Sequence, residues 1–341
     1  MNNHIMFDLS EDWHNDRYGV DFSEDFWVDP IKRTEAYREM SYQRAKRFPG
    51  TEIGSLEPKP RPIASDQYGH RFIPAIFGCN IRYTPNQAPS ADPLRREFEE
   101  LAELDMPDLR NNDVFKKALD DAKRMKAKYG FVESWINMGS PLNAAISIFG
   151  EDFIASCVCE PETARHVLMV MAKTQIRLTY EFEDYLNPPS RIERQGFGIG
   201  NCPAIMFSPD LYTEVILPVD LWLRQQFKTF GIHHCGIFDK YAQMYTTLTP
   251  DSLDVGGGSD YRSMRAYFPN AVCSFIVNPE FFEGKTREEI DRLVYGIVTE
   301  GGPPEKISFL HTYGAGRNAT DDNIMDLYTS IERQGLNQPN T

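Results

Sequence analysis

The chain has 341 residues, 41% of them hydrophobic and 25% charged, an ordinary balance for a globular protein and long enough for one large α/β barrel or two smaller domains. Its formal charge of −14 argues against sequence-independent nucleic-acid binding, which needs Lys and Arg to displace phosphate counterions. No apolar run approaches the roughly 18 residues of a membrane span, no basic segment followed by an apolar stretch opens the chain, and the six scattered cysteines suit reduced thiols, so a cytoplasmic enzyme is expected.

Residues 1–57 read as an N-terminal arm with one helix. Acids and aromatics (Trp13, Tyr18, Phe22, Phe26, Trp27) come first, and after Asp29-Pro30 a helical pattern runs through Arg33, Tyr37, Met40 and Ala45. The aromatics would pack on the main body, on the second subunit of a homodimer, or over a pocket; packing is their commonest use. Prolines and glycines then cut 58–93 into short extended pieces such as Arg71–Phe77. Residues 94–128 are helical in pattern, broken at Met106-Pro107-Asp108, with Asp113 placed to cap a second helix over Val114–Tyr129.

From there strand-like runs at 131–137, 196–200, 229–233, 252–255, 271–277 and 306–311 alternate with helical segments at 141–149, 151–157, 161–186, 209–230, 239–247, 261–267, 286–300 and 320–334. Strand then helix, repeated over some two hundred residues, is the sequence form of parallel βα units. The expected fold is α/β, a single (β/α)8 barrel over 58–335 with a short tail at 336–341. An open doubly wound sheet is the second choice, and the dinucleotide-binding version of it lacks the Gly-x-Gly-x-x-Gly turn it would need.

Active sites of such barrels lie at the carboxyl ends of the strands. That rule selects Glu133 and Asn137, then Asn201 and Cys202, then His233, His234 and Cys235, Asp254 with Asp260, Asn278, and finally His311 and Tyr313. If 229–235 is extended, His233 and Cys235 leave on one face and His234 on the other. An imidazole and a thiol together begin a zinc site, although a catalytic zinc takes about three protein ligands. The other reading, Cys235 as a small buried hydrophobe and one histidine as a satisfied core residue, weighs equally on residue chemistry alone. Gly256-Gly257-Gly258 is a flexible turn or a place of close backbone approach, without the Lys-Ser/Thr of a P-loop. Asp260 is a ligand, a base or a helix cap. Arg317, after Gly314-Ala315-Gly316, can meet a carboxylate or phosphate, or is a surface arginine.

The order of short motifs resembles the uroporphyrinogen decarboxylase superfamily over about residues 60–335. It runs from Asp66-Gln67-Tyr68-Gly69 through Met138-Gly139-Ser140-Pro141, Gly150-Glu151-Asp152-Phe153, Pro161-Glu162 and Ser208-Pro209-Asp210-Leu211-Tyr212 with Leu217-Pro218. It continues with His233-His234-Cys235-Gly236, Asn278-Pro279-Glu280 with Gly284–Ile290, and Gly314-Ala315-Gly316 leading to Asn323. The resemblance implies a (β/α)8 barrel. The Arg-Gln-Ala-Gly-Arg-type segment with which true porphyrinogen decarboxylases grip propionates is absent, so the corrinoid-dependent methyltransferase branch is the nearer one.

That branch holds zinc with His-x-Cys and a later Cys inside Gly-Cys-Gly. His233 and Cys235 match the first two, and Ala315 stands at the third. Either zinc is absent, or His234, Asp254, Asp260 or His311 replaces the lost thiolate, or the pocket works by acid and base alone. The resemblance implies transfer of a methyl group between a small methylated substrate (an aromatic methyl ether or a methylamine) and the cobalt of a separate corrinoid protein. His233, His311, Asp260 and Asn201 are then the candidate catalytic residues, and Glu133, Asn137, Tyr313 and Arg317 the candidate substrate contacts. The alternatives are a cofactor-free decarboxylase using Asp66 or Asp260 with Arg61 or Arg317, and a non-catalytic barrel that binds a ligand.

Overall fold

The computed structural model describes residues 5–133, 136, 138–186, 196–303 and 307–334, with backbone only at 5, 6, 183 and 308–313. In chain order the elements are β1 (Ile5–Leu9), α1 (Glu11–Tyr18), α2 (Glu24–Val28), α3 (Pro30–Arg47), α4 (Phe72–Ile76), β2 (Ile81–Thr84), β3 (Gln87–Ala91), α5 (Phe98–Ala102) and α6 (Asp113–Tyr129). Then come α7 (Pro141–Phe149), α8 (Glu151–Cys159), α9 (Pro161–Leu186), β4 (Gly196–Gly200), α10 (Pro209–Leu211), a π-helical turn at Tyr212–Ile216, and α11 (Leu217–Arg224). The last part is β5 (Thr229–His234), α12 (Asp239–Tyr245), β6 (Ser252–Val255), α13 (Tyr261–Tyr267), β7 (Val272–Val277), α14 (Arg287–Glu300), β8 (Ile307–Ala315) and α15 (Asp321–Arg333). The chain divides into two compact units, Met1–Val20 with Met40–Pro58 and Thr229–Thr341, and Asp21–Glu39 with Lys59–Lys228.

In the first unit five parallel strands lie side by side in the order β1-β8-β7-β6-β5. Parallel strands need long crossovers, and α12, α13 and α14 are the helices found between successive strands here. Strand β7, Val-Cys-Ser-Phe-Ile-Val, is buried at every residue but its first, as a strand covered on both faces must be. Strand β5 instead alternates, with Phe230, Ile232 and His234 buried and Gly231 and His233 partly open. Helix α15 buries Ile324, Leu327, Tyr328 and Ile331, one stripe at helical spacing. Its start is capped by the Thr320 hydroxyl, which accepts from the Asn323 N–H, and α14 starts with a reciprocal Thr286–Glu289 capping box.

The N-terminal stretch differs from an arm with one helix: it carries β1 and three helices. Strand β1 pairs with β8, Ile5 opposite Leu310 and Leu9 opposite Ala315. A partner some three hundred residues away makes Ile-Met-Phe-Asp-Leu a strand, and no local pattern announces it. Behind β1, Trp13 is fully buried, stacks on Phe48 with ring centroids 6.4 Å apart, and lies beneath the Arg17 and Arg47 guanidiniums at 5.7 and 5.6 Å.

The second unit is mainly helical, with α7, α8 and α9 packed around Leu142, Ile148, Phe153, Leu168 and Met171. Three expectations change there. Phe72–Ile76, expected to be extended, is the short helix α4 with all five residues buried; a continuous apolar run carries no periodicity to separate the two. Helix α6 is capped by Asn112, whose side chain accepts from the Phe115 N–H, and Asp113 is its first residue. The helical segment expected over 209–230 ends at Arg224, after the π-helical turn. Of the expected strand 131–137, Glu133 forms a parallel bridge with Ile63, and Ser134, Trp135 and Asn137 lie outside the described residues.

Among the described residues no single helix is long and apolar enough to cross a membrane; α7 and α8 reach that length and apolarity only as a pair, bent by 116°. Removing the indole at the N-terminal join is expected to leave a large unfilled space, so Trp13→Ala should lower unfolding free energy by about 3–5 kcal/mol in urea denaturation. A loss under about 1 kcal/mol would mean that α1 does not contribute to the cooperative fold.

Candidate functional site

The candidate site of the first unit lies at the end of β5. Register puts His233 opposite Asp254 on β6, so the two side chains stand next to each other on one face. His233 Nδ1 donates to Asp254 Oδ2 at 3.0 Å. Burial works against a charge on His233, but hydrogen bonds with Asp254 and with the Cys235 thiol outweigh it and push its pKa up to about 9. Cys235, one residue past the strand, is exposed. Imidazole and thiol therefore meet on the side that the alternation predicts, and Asp254, expected only as a replacement ligand, instead holds the ring.

His234 faces the other way. It is fully buried, its Nδ1 lies 3.3 Å from the Tyr245 hydroxyl, and its ring meets Phe238, Tyr241 and Tyr245 at centroid distances of 5.5, 5.4 and 6.0 Å. Burial, reinforced by His233 and Lys240, pulls its pKa down to about 4, so it is a neutral core residue and not a replacement ligand. Asp260 is a cap: its carboxylate accepts from the Ser263 N–H at 3.0 Å and the Ser263 hydroxyl at 2.9 Å at the start of α13. Ala315 is fully buried in β8, and its carbonyl accepts from the Ser10 N–H and hydroxyl. The side chains of His311 and Tyr313 lie outside the description. Arg317 pairs with Asp12, Nε to Oδ2 at 3.4 Å.

The second unit holds two further groups. Glu133 receives both arms of the Arg61 guanidinium, at 3.2 and 3.0 Å, so this candidate substrate contact is engaged with the arginine that the decarboxylase alternative would use. Asn201, just past β4, is fully buried and donates through Nδ2 to the Tyr212 hydroxyl at 2.9 Å and to Asp220 Oδ2 at 2.8 Å, while the Tyr212 hydroxyl also donates to Asp220. Asn201 Oδ1 and Asp220 Oδ1 have no partner among the described residues. In the sequence Tyr212 stands out only as the end of the Ser208–Tyr212 motif, and Asp220 is not singled out at all. The one available signal was a single acid inside the apolar run Ile216-Leu217-Pro218-Val219-Asp220-Leu221-Trp222-Leu223.

No protein-family model and no curated protein sequence matches the chain. Among solved structures, a methyltransferase from Methanosarcina mazei matches with a TM-score of 0.63 at 14% sequence identity, over 96% of this chain and 91% of that one. A B12-independent methionine synthase from Shewanella sp. W3-18-1, in complex with selenomethionine, reaches 0.48 at 12% identity over 90% and 87%, too low to carry weight. The first likeness shows a shared α/β fold of helices and parallel strands over nearly the whole of both chains. The resemblance drawn from the ordered motifs and this likeness agree on an α/β fold of helices and parallel strands.

Burial raises Asp220 from 3.8 to about 6, against the hydrogen bonds from Tyr212 and Asn201 that pull it down. A raised carboxyl pKa means that folding favours the protonated acid: the stability it contributes is full below the ordinary value and is lost as pH rises through about 6. Asp220→Asn removes that titration. Its stability relative to the native chain should rise by up to about 3 kcal/mol between pH 4 and pH 7.5 in urea denaturation. A difference that stays constant over this range would show that Asp220 does not titrate there.

Proposed function

We propose that the chain is the methyltransferase component of a corrinoid-dependent system, built as a closed (β/α)8 barrel, and that it moves a methyl group between a small methylated substrate and the cobalt of a separate corrinoid protein. The observation that carries this reading is the His233 centre. An imidazole held through Nδ1 by a carboxylate is the usual support of a metal-bound histidine, since the bond fixes both tautomer and ring orientation. The Cys235 thiol beside it adds a second donor suited to zinc. The likeness of fold to a solved methyltransferase points the same way.

In this reading His233 offers Nε2 and Cys235 its thiolate to zinc, and Asp254 orients the imidazole. Bound zinc would supply electrophilic help at the heteroatom that gives up or accepts the methyl group. A third protein donor is still needed. Cys79, Cys157 and Cys273 are buried, and burial pushes the first two up to about 11 and about 12, which makes poor thiolates of them. Cys159 ends α8 and is exposed. The decarboxylase reading draws less support, because Arg61 and Arg317, its candidate carboxylate grips, are paired with Glu133 and Asp12.

Protein purified without chelator should carry about one zinc per chain, and His233→Ala and Cys235→Ser should each lose most of it. Asp254→Asn should weaken zinc binding by about 10- to 100-fold while leaving the ligands in place. A metal-free native chain with an intact circular dichroism spectrum would sink the zinc assignment. For the reaction, a methylamine or an aryl methyl ether mixed with the chain and a reduced corrinoid protein should produce the absorption change of methyl-cobalt. No change with either donor class would count against methyl transfer.

A further inference from the structure

The triple glycine after β6 has a use that its composition alone does not reveal. A Cβ placed on Gly256 would lie 2.0 Å from the Gly236 carbonyl oxygen and 2.7 Å from both the carbonyl carbon and the oxygen of Cys235. These are backbone atoms, which cannot swing aside as a flexible side chain can. Gly257 meets a side chain instead, its Cβ position being 2.3 Å from Asn278 Oδ1, which can move away. Gly258 differs: its φ of 88° is left-handed, and the nearest atom to a Cβ there, Ile237 Cγ1, is at an ordinary 3.7 Å.

Beyond this contact the two loops are joined by hydrogen bonds. The Phe238 N–H donates to the buried Ser259 hydroxyl at 3.0 Å, and the Asp260 N–H donates to Asp239 Oδ1, also at 3.0 Å. On the strand side the same two chain segments are tied by His233 and Asp254. The turn Cys235–Asp239 is thus held along its whole length by the exit of the neighbouring strand. The thiol itself is exposed and hydrogen-bonds with His233.

We propose that Gly256 and Ser259 are positioning residues, which press the exit of β6 against the Cys235–Phe238 turn and so set where Cys235 presents its thiol. The inference rests on the zinc reading of His233 and Cys235 for its consequence, though the geometry it invokes is independent of any metal. Gly256→Ala must part the two backbones. Ser259→Ala removes the acceptor for the Phe238 N–H and leaves that buried group unpaired.

Two measurements on the full chain test the proposal: zinc affinity by competition with a chromogenic chelator, and the iodoacetamide alkylation rate of Cys235 in metal-free protein, followed by peptide mass spectrometry. Gly256→Ala and Ser259→Ala should weaken zinc by about tenfold or more, the scale of a lost supporting contact, and should change the Cys235 alkylation rate. Ser259→Thr, which keeps the hydroxyl, should restore both. Gly258→Ala should lower the melting temperature through its left-handed backbone and leave both readouts unchanged. Native affinity and native alkylation in Gly256→Ala and Ser259→Ala would overturn the proposal. If the native chain binds no zinc, the zinc reading fails and the alkylation rates alone decide the positioning role. If Gly256→Ala does not fold, the Ser259 pair decides it.

Discussion

The candidate site depends on one register, β5 against β6, that brings His233 opposite Asp254. In paired parallel strands matched residues share a face, and a slip of one position would set Leu253 or Val255 beside His233 and turn the carboxylate away. The pair is also electrostatically self-consistent. Burial alone would strip His233 of its proton, and the Asp254 carboxylate and Cys235 thiol keep its pKa near 9. Nδ1 is committed to Asp254, which fixes the orientation of the ring.

The opposite face of β5 shows why that commitment is affordable. His234 is walled by Phe238, Tyr241 and Tyr245, and Phe238 in turn packs edge-on to Phe268. These rings are large and rigid, and they hold α12 against the strand whichever way the polar face behaves. Two adjacent histidines therefore have opposite electrostatic fates, one raised and one lowered, because a strand sends successive side chains to different environments.

The second unit concentrates polar groups in a different manner. Asn201, Tyr212 and Asp220 satisfy one another only in part, and such a group normally costs stability unless something else requires it. Tyr212 reaches Asp220 from the first residue of a π-helical turn, a local widening often found where a side chain must be re-aimed.

Much of this was legible in the sequence. The βα alternation, the bounds of β4, β6, α7 and α13, the opposed faces of His233 and His234, and the cap at Asp260 follow from periodicities and capping chemistry that act within a few residues. The motif order also pointed to the fold that the Methanosarcina mazei methyltransferase shares. What the tertiary structure alone decided was pairing over distance: β1 with β8 across three hundred residues, His233 with Asp254, Asn201 with Asp220, and Gly256 against the Cys235–Gly236 backbone. A local pattern says which face a residue occupies. Only the register and the packing of separate segments say what it meets there.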